Sequence, residues 1–209
     1  MSKEPVKVAV FDLNQTVYNH SSKEEFFKYI CYKRNYKLLD IFQLTVYKLL
    51  GKLRLLNQTQ FKENFFNYLD DIPPHKVEEY AAEFWNIEYH KHFNQELLHR
   101  IEELKSEGTK IIFISGALEI YIKPLFKNHL EVDQWMGTKA AYEGDTYKVK
   151  GEACKDKEKT RRLKEYMADK EFTLVETYSD EEEDLFKLAQ KAFLVVDGKV
   201  VPYQQNKAE

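Results

Sequence analysis

The 209-residue sequence is 43% hydrophobic and 32% charged, which predicts a folded globule of one domain, or a core with one insertion, and excludes intrinsic disorder. Its net charge of -3, with both signs interspersed, argues against a nucleic-acid partner. No stretch of 18 uncharged apolar residues is present, which argues against a membrane-spanning helix.

The histidines, the cysteines and the first residues bear on metal type and compartment. His90 and His92 are close in sequence, but no Cys-x-x-Cys accompanies them, so a zinc site is not expected. Cys31 and Cys154 lie far apart and are expected to be reduced thiols. The segment Met1–Pro5 has no signal-peptide character. We therefore expect a cytoplasmic protein.

Short β-branched runs alternate with helical segments along much of the chain. The first run, Val6–Phe11, is typical of a strand buried on both faces of a parallel sheet. The second, Lys110–Ile114, follows a predicted helix at Gln95–Glu107 that ends at Gly108. Further strands are predicted at Phe172–Thr177, Ala192–Val196 and Val200–Tyr203. This alternation predicts an α/β fold with a parallel sheet.

About a hundred residues of different character separate the first two predicted strands. From Ser22 to about Tyr89 the pattern is helical and rich in aromatic residues, and Asp71–Pro74 is its clearest break. A direct connection between neighbouring strands is far shorter. We therefore predict a core formed by residues 1–20 and 91–209, with an all-helical cap of residues 21–90 inserted after the first strand.

Polar residues follow three of the predicted strands. Asp12–Thr16 (DLNQT) follows the first strand, Ser115–Gly116 the second, and Tyr178–Asp184 (YSDEEED) the third. Ligands of parallel α/β sheets bind beyond the carboxyl ends of the strands. The sequence therefore predicts one pocket, suited to phosphate and a metal ion.

The same segments carry a family resemblance. FDLNQTVY resembles the Asp-x-Asp-x-Thr nucleophile motif of the haloacid dehalogenase (HAD) superfamily, and FISG is similar to its second motif. GEACKDKEKTRRL resembles the third motif of phosphatases of the phosphoserine-phosphatase type, and YSDEEEDLFKLA the fourth. Four motifs in family order are a specific signal. They imply a subfamily IB phosphatase with a three-layer Rossmann-like core and a helical cap.

The resemblance implies magnesium-dependent hydrolysis of a small phosphorylated substrate through an aspartyl-phosphate on Asp12. The implied Mg²⁺ ligands are the side chains of Asp12 and Asp180 and the main-chain carbonyl of Asn14. Asp184 is expected to lie behind these ligands or to hold the motif lysine. Glu181–Glu183 are expected to form a solvated helix start.

Phosphate contacts are implied by the second and third motifs. Ser115 and the Gly116 amide are expected to hold phosphate oxygens, and Lys159 to offset their charge. Lys155 and Lys157 are alternatives to Lys159 on the same charged segment.

Asn14 stands where phosphatases of this family have a second aspartate, which protonates the leaving group and activates water. An amide has no proton to give, and losing such assistance costs on the order of 10²–10⁴ in rate. Gln15 and Asp156 replace family glycines. The chain could be a slow enzyme in which Gln15, His20 or Glu119 substitutes, a phosphate-ligand binding protein without turnover, or a protein engineered at Asn14.

The cap is expected to select the substrate. Ser21 occupies the position of the acidic residue with which phosphoserine phosphatases hold the substrate amine, so phosphoserine specificity is not expected. Tyr36–Leu56 is apolar with flanking lysines, and a helix packed inside the cap is the favoured interpretation. The alternative is a basic amphipathic face that contacts a membrane, similar to bacterial relatives acting on phosphatidylglycerophosphate.

Overall fold

The computed structural model describes residues 4–34, 66–168 and 170–204. The strands are β1 (Val6–Phe11), β2 (Lys110–Leu118), β3 (Gln134–Thr138), β4 (Ala140–Glu143), β5 (Thr146–Val149), β6 (Phe172–Ser179), β7 (Lys191–Val196) and β8 (Lys199–Pro202). The helices are α1 (Ser22–Lys33), α2 (Pro74–Glu88), α3 (Gln95–Ser106), α4 (Glu119–Asn128) and α5 (Lys157–Met167), with short 3-10 helices at Asn67–Leu69 and Asp184–Lys187.

Six strands form one sheet in the order β3-β2-β1-β6-β7-β8. All neighbours are parallel except β8, which returns antiparallel beside β7. Successive side chains of β1 point to opposite faces: Val8 and Val10 share a buried cluster with α5, and Ala9 and Phe11 share another with α3. Helices therefore cover both faces, and the predicted three-layer α/β fold is confirmed.

A β-hairpin formed by β4 and β5 was not predicted from the sequence. Its turn residues, Gly144 and Asp145, both have positive φ (55° and 61°), as a tight two-residue hairpin turn requires. The hairpin packs against the segment before α2, since the Asp71 amide donates to the Asp145 carbonyl (2.9 Å) and the Tyr147 hydroxyl to the Ile72 carbonyl (2.8 Å).

Helices α1 and α2 lie in the segment predicted to be the cap, and they pack against the core helix α4. The rings of Phe26 and Phe84 join α1 to α2, with centroids 5.4 Å apart. The Trp85 indole donates to the main-chain carbonyl of Tyr121 on α4 at 2.6 Å. The cap boundaries remain a prediction, and Tyr36–Leu56 lies outside the described residues. Of the helices in the described ranges, none is long and apolar enough to span a membrane.

The two connections between the core and α1 and α2 run side by side. The Asn19 amide donates to the His92 carbonyl, and the Asn94 amide donates to the Val17 carbonyl, both at 2.9 Å. The first of these connections also carries the residues that follow β1. The placement of α1 is therefore fixed relative to Asp12.

Candidate functional site

Asp12 directly follows β1, the strand between β2 and β6. Its amide continues the ladder by donating to the Tyr178 carbonyl (2.9 Å), and its Oδ1 accepts from the Leu13 amide (2.6 Å). The residue is only 9% exposed. Its Oδ2 lies 3.0 Å from the Nζ of Lys159. The site is therefore built around a nearly buried carboxylate with one fixed cationic partner.

Lys159 enters the site from the first turn of α5 and is 1% exposed. Its ammonium lies between Asp12 and Glu183, and donates to the Glu183 carboxylate. Burial acts to lower the pKa of Lys159, but the attraction of the two carboxylates outweighs it and the pKa is raised. Lys159 therefore stays charged, whereas Lys155 pairs with Glu181 at the surface.

Glu183 is a site residue that the sequence analysis missed. It is 7% exposed and also accepts a hydrogen bond from the Ser179 hydroxyl (3.1 Å), so its assignment to a solvated helix start was wrong. Burial raises the pKa of Glu183. The predicted Asp184 instead points outward to Lys187 (2.9 Å). The carboxylate beside Lys159 is thus Glu183, because the chain turns into a 3-10 helix at Asp184.

Asn14 lies across the site and its amide orientation is fixed. Its Oδ1 accepts from the main-chain amide of Ser22 at the start of α1 (2.8 Å), and only an oxygen can accept there. The Nδ2 group then faces the Ser115 Oγ at 3.5 Å. The Asn14 amide therefore presents a donor, and no titratable proton, to the space beside Ser115.

Ser115 and Gly116 lie at an irregularity in β2. The pairing of β2 with β3 shifts register between Ile114 and Leu118, which releases the residues between them from the regular ladder. Ser115 is 1% exposed and its Oγ accepts from the Ala117 amide (3.3 Å). The Gly116 carbonyl accepts from the Thr138 hydroxyl (2.9 Å). These residues of β2 therefore lie near its carboxyl end, at the same edge of the sheet as Asp12.

Asp180 follows β6 and is half-buried. Burial, and then the neighbouring charge of Asp12, raise the pKa of Asp180 to about 6. Two carboxylates and the Asn14 carbonyl, which accepts from Thr16 (3.2 Å), are hard oxygen donors of the kind Mg²⁺ prefers. A divalent cation would relieve the repulsion that raises this pKa. The donor set therefore fits Mg²⁺.

Gln15 adopts a backbone conformation that glycine reaches more easily. Its φ is 54°, in the left-handed region that costs a residue with a side chain about 1–2 kcal/mol. Its side chain helps to line a cleft of about 700 Å³ beside Asp180, with Asn19 and Asp197 among the other polar residues of the wall. The structure thus brings together Asp12, Asn14, Ser115, Gly116, Lys159 and Asp180 and leaves Asp184 outside.

Similar folds occur among solved structures. One is a protein of unknown function from Bordetella pertussis Tohama I (TM-score 0.79, 14% identity, 90% of this chain and 89% of that chain). Another is a phosphoserine phosphohydrolase-like protein from Francisella tularensis subsp. tularensis SCHU S4 (TM-score 0.62, 17% identity, 90% of this chain and 86% of that chain). A third is a phospho-aspartyl intermediate analogue of phosphoserine phosphatase (TM-score 0.60, 18% identity, 90% of this chain and 86% of that chain).

At these identities the likeness shows a shared fold. A search of curated proteins found no significant match. The profile of the haloacid dehalogenase-like hydrolases matches residues 9–186, a segment that contains Asp12, Ser115, Lys159 and Asp180. Because this match covers most of the 209 residues, the chain belongs to the haloacid dehalogenase-like hydrolase family.

Proposed function

We propose that the protein is a magnesium-dependent phosphomonoester hydrolase that acts through an aspartyl-phosphate on Asp12. The observation that carries the proposal is the Asp12 carboxylate, nearly buried at the end of β1, with Lys159 at 3.0 Å and Ser115 of β2 at the same edge of the sheet. Family membership and the phosphatase names of the solved relatives support it.

Each site residue has a role in this reaction. An oxygen of Asp12 attacks the phosphorus, and the electron pair of the breaking bond leaves with the leaving-group oxygen. The Ser115 hydroxyl and the Gly116 amide hold oxygens of the phosphoryl group, and Lys159 offsets their charge. Glu183 positions Lys159. Mg²⁺, held by Asp12, Asp180 and the Asn14 carbonyl, would supply further charge neutralisation.

Burst kinetics with 4-nitrophenyl phosphate test this proposal. In the presence of Mg²⁺ the protein should release nitrophenol in a first turnover equal to the amount of enzyme, and Asp12→Asn should release none. The matched control is Asp184→Asn, which changes an outward-facing carboxylate and should retain the burst. A burst that survives in Asp12→Asn would contradict the assignment of the nucleophile.

A binding protein without turnover is the second candidate, and the fixed amide of Asn14 favours it. Such a protein would retain Mg²⁺-dependent binding of inorganic phosphate and gain steady-state hydrolysis in Asn14→Asp. If wild-type protein already turns over steadily at the rate of Asn14→Asp, the binding-only function is wrong.

For the substrate, phosphoserine is not favoured, because Ser21 precedes α1 without a carboxylate to hold an amine. A lipid phosphate such as phosphatidylglycerophosphate is the other possibility, and it depends on the Tyr36–Leu56 run. Cosedimentation with anionic vesicles at low salt tests it, and we expect no binding because a packed helix is the favoured interpretation of that run.

A further inference from the structure

We propose that the substrate is a phosphate compound whose leaving group departs without a proton from the enzyme, as aryl, enol and acyl phosphates allow. The inference rests on the proposed function and adds the chemical class of the leaving group. It follows from the side chains that neighbour Asp12 and Ser115.

The orientation of the Asn14 amide prevents this residue from supplying a proton to the leaving group. Its side-chain oxygen is held by the Ser22 amide at 2.8 Å, so its NH₂ group faces Ser115. That group can donate a hydrogen bond to an oxygen of the substrate but cannot transfer a proton to it. Lys159 is held between Asp12 and Glu183, on the side of the nucleophile.

Among the described residues, three further candidate acids are engaged by other groups: His20, Glu119 and Tyr121. The Nε2 of His20 lies 3.2 Å from the Nδ1 of His92, between the two connections that join the core to α1 and α2. The Oε1 of Glu119 accepts from the Gly137 amide of β3 at 3.2 Å. Tyr121 is fully buried behind α1, where its hydroxyl meets the Ser22 hydroxyl at 3.1 Å.

The reaction balances without a proton from the enzyme when the leaving group is stable as an anion. A bond forms between an Asp12 oxygen and phosphorus while the bond to the leaving oxygen breaks, and that oxygen leaves with the electron pair as an anion. A phenolate, enolate or carboxylate carries this charge, whereas an alkoxide is far too basic to leave unprotonated. Water then attacks phosphorus, Asp12 regains its carboxylate, and the proton of the water passes to solvent.

The test is rapid-quench measurement of phosphorylated enzyme by intact mass, with Mg²⁺ present. The donors are a series of aryl phosphates with increasingly basic phenols, acetyl phosphate, and glycerol 1-phosphate as the alkyl ester. Wild-type protein should be phosphorylated fast by acetyl and nitrophenyl phosphate, progressively more slowly along the series, and most slowly by glycerol 1-phosphate.

Two variants of Asn14 refine the test. Asn14→Asp keeps an acceptor for the Ser22 amide, and should accelerate the alkyl ester relative to the nitrophenyl ester by on the order of 10² or more. Asn14→Ala removes the amide without adding an acid and should keep the steep dependence on leaving group. The measurement of wild-type protein with the aryl series tests the inference by itself, even if a variant fails to fold.

The outcomes separate the two proposals. Equal rates for the alkyl and nitrophenyl esters in wild-type protein would overturn the inference, because another group would then supply the proton. An unchanged rate ratio in a folded Asn14→Asp variant would overturn it as well. Absence of phosphoenzyme with every donor, acetyl phosphate included, would overturn the proposed function itself and this inference with it.

Discussion

Replacing Lys159 by Met should destabilise the metal-free protein strongly at alkaline pH and only weakly at acidic pH. Lys159 is 1% exposed, and its removal leaves the Asp12 and Glu183 carboxylates buried without their cation. Breaking a buried ion pair from one side costs about 3–5 kcal/mol. Met fills a similar volume, so the loss would come from charge and not from a cavity.

This loss of stability has an upper limit, because Glu183 can become neutral by binding a proton. Protonating an ordinary glutamate costs 1.36 kcal/mol for each pH unit above its pKa of about 4.3, hence about 5 kcal/mol near pH 8 and about 1.6 kcal/mol near pH 5.5. Burial already raises the pKa of Glu183, so the folded state binds the proton more tightly than the unfolded state. Stability of the variant therefore falls as pH rises.

Urea unfolding in the presence of a chelator, near pH 8 and near pH 5.5, measures both values. The double variant Lys159→Met/Glu183→Gln removes both charges and should regain most of the loss near pH 8. A loss that is the same at both pH values, or a double variant that regains nothing, would refute the assignment of Glu183 as the partner of Lys159.

Three further outcomes are expected. Mg²⁺ should raise the melting temperature more at pH 8 than at pH 5, because Asp180, with a pKa of about 6, must lose its proton to bind the ion. Asp180→Ala should abolish this rise in melting temperature. Gln15→Gly should raise the free energy of unfolding by up to about 1 kcal/mol in urea titration, since relief of the left-handed strain exceeds the entropy lost to glycine; a clear decrease would contradict this. Tyr147→Phe should lower that free energy by about 1–2 kcal/mol, because it leaves the buried Ile72 carbonyl without its donor. The control Tyr142→Phe, at the surface of the same hairpin, should lower it by less than about 0.5 kcal/mol. Equal losses would argue against the hairpin contact.

The fold was predictable where a short segment carries a clear strand pattern or a clear helix-end residue. Val6–Phe11 is apolar enough to be a strand buried on both faces, and Gly108, with φ of 75°, ends α3 as its sequence position indicates. The hairpin of β4 and β5 escaped prediction because its strands are four residues long and mix exposed, half-buried and buried positions without a clear alternation. Its contacts with the segment before α2 join residues about 75 positions apart, which local patterns do not reveal.

The site was predictable to the level of motifs, and less so for the direction of individual side chains. Asp12 directly follows β1, and Ser115 lies near the carboxyl end of the neighbouring parallel strand β2, so their approach was predictable. The choice between Glu183 and Asp184 depends on how the chain turns after Asp180, and three consecutive glutamates gave no sign that the last of them is buried. The orientation of Asn14 depends on an amide at the start of α1, which only the packing of that helix places.

The most direct test of the central claim is to locate the phosphoryl group on the protein. Wild-type protein, Asp12→Asn and Asp184→Asn are each mixed with acetyl phosphate and Mg²⁺, quenched in acid, and analysed by peptide mass spectrometry. We expect one phosphoryl group on Asp12 in the wild-type and Asp184→Asn proteins, and none in Asp12→Asn. A phosphoryl group on any other residue, or equal labelling of Asp12→Asn, would contradict the account.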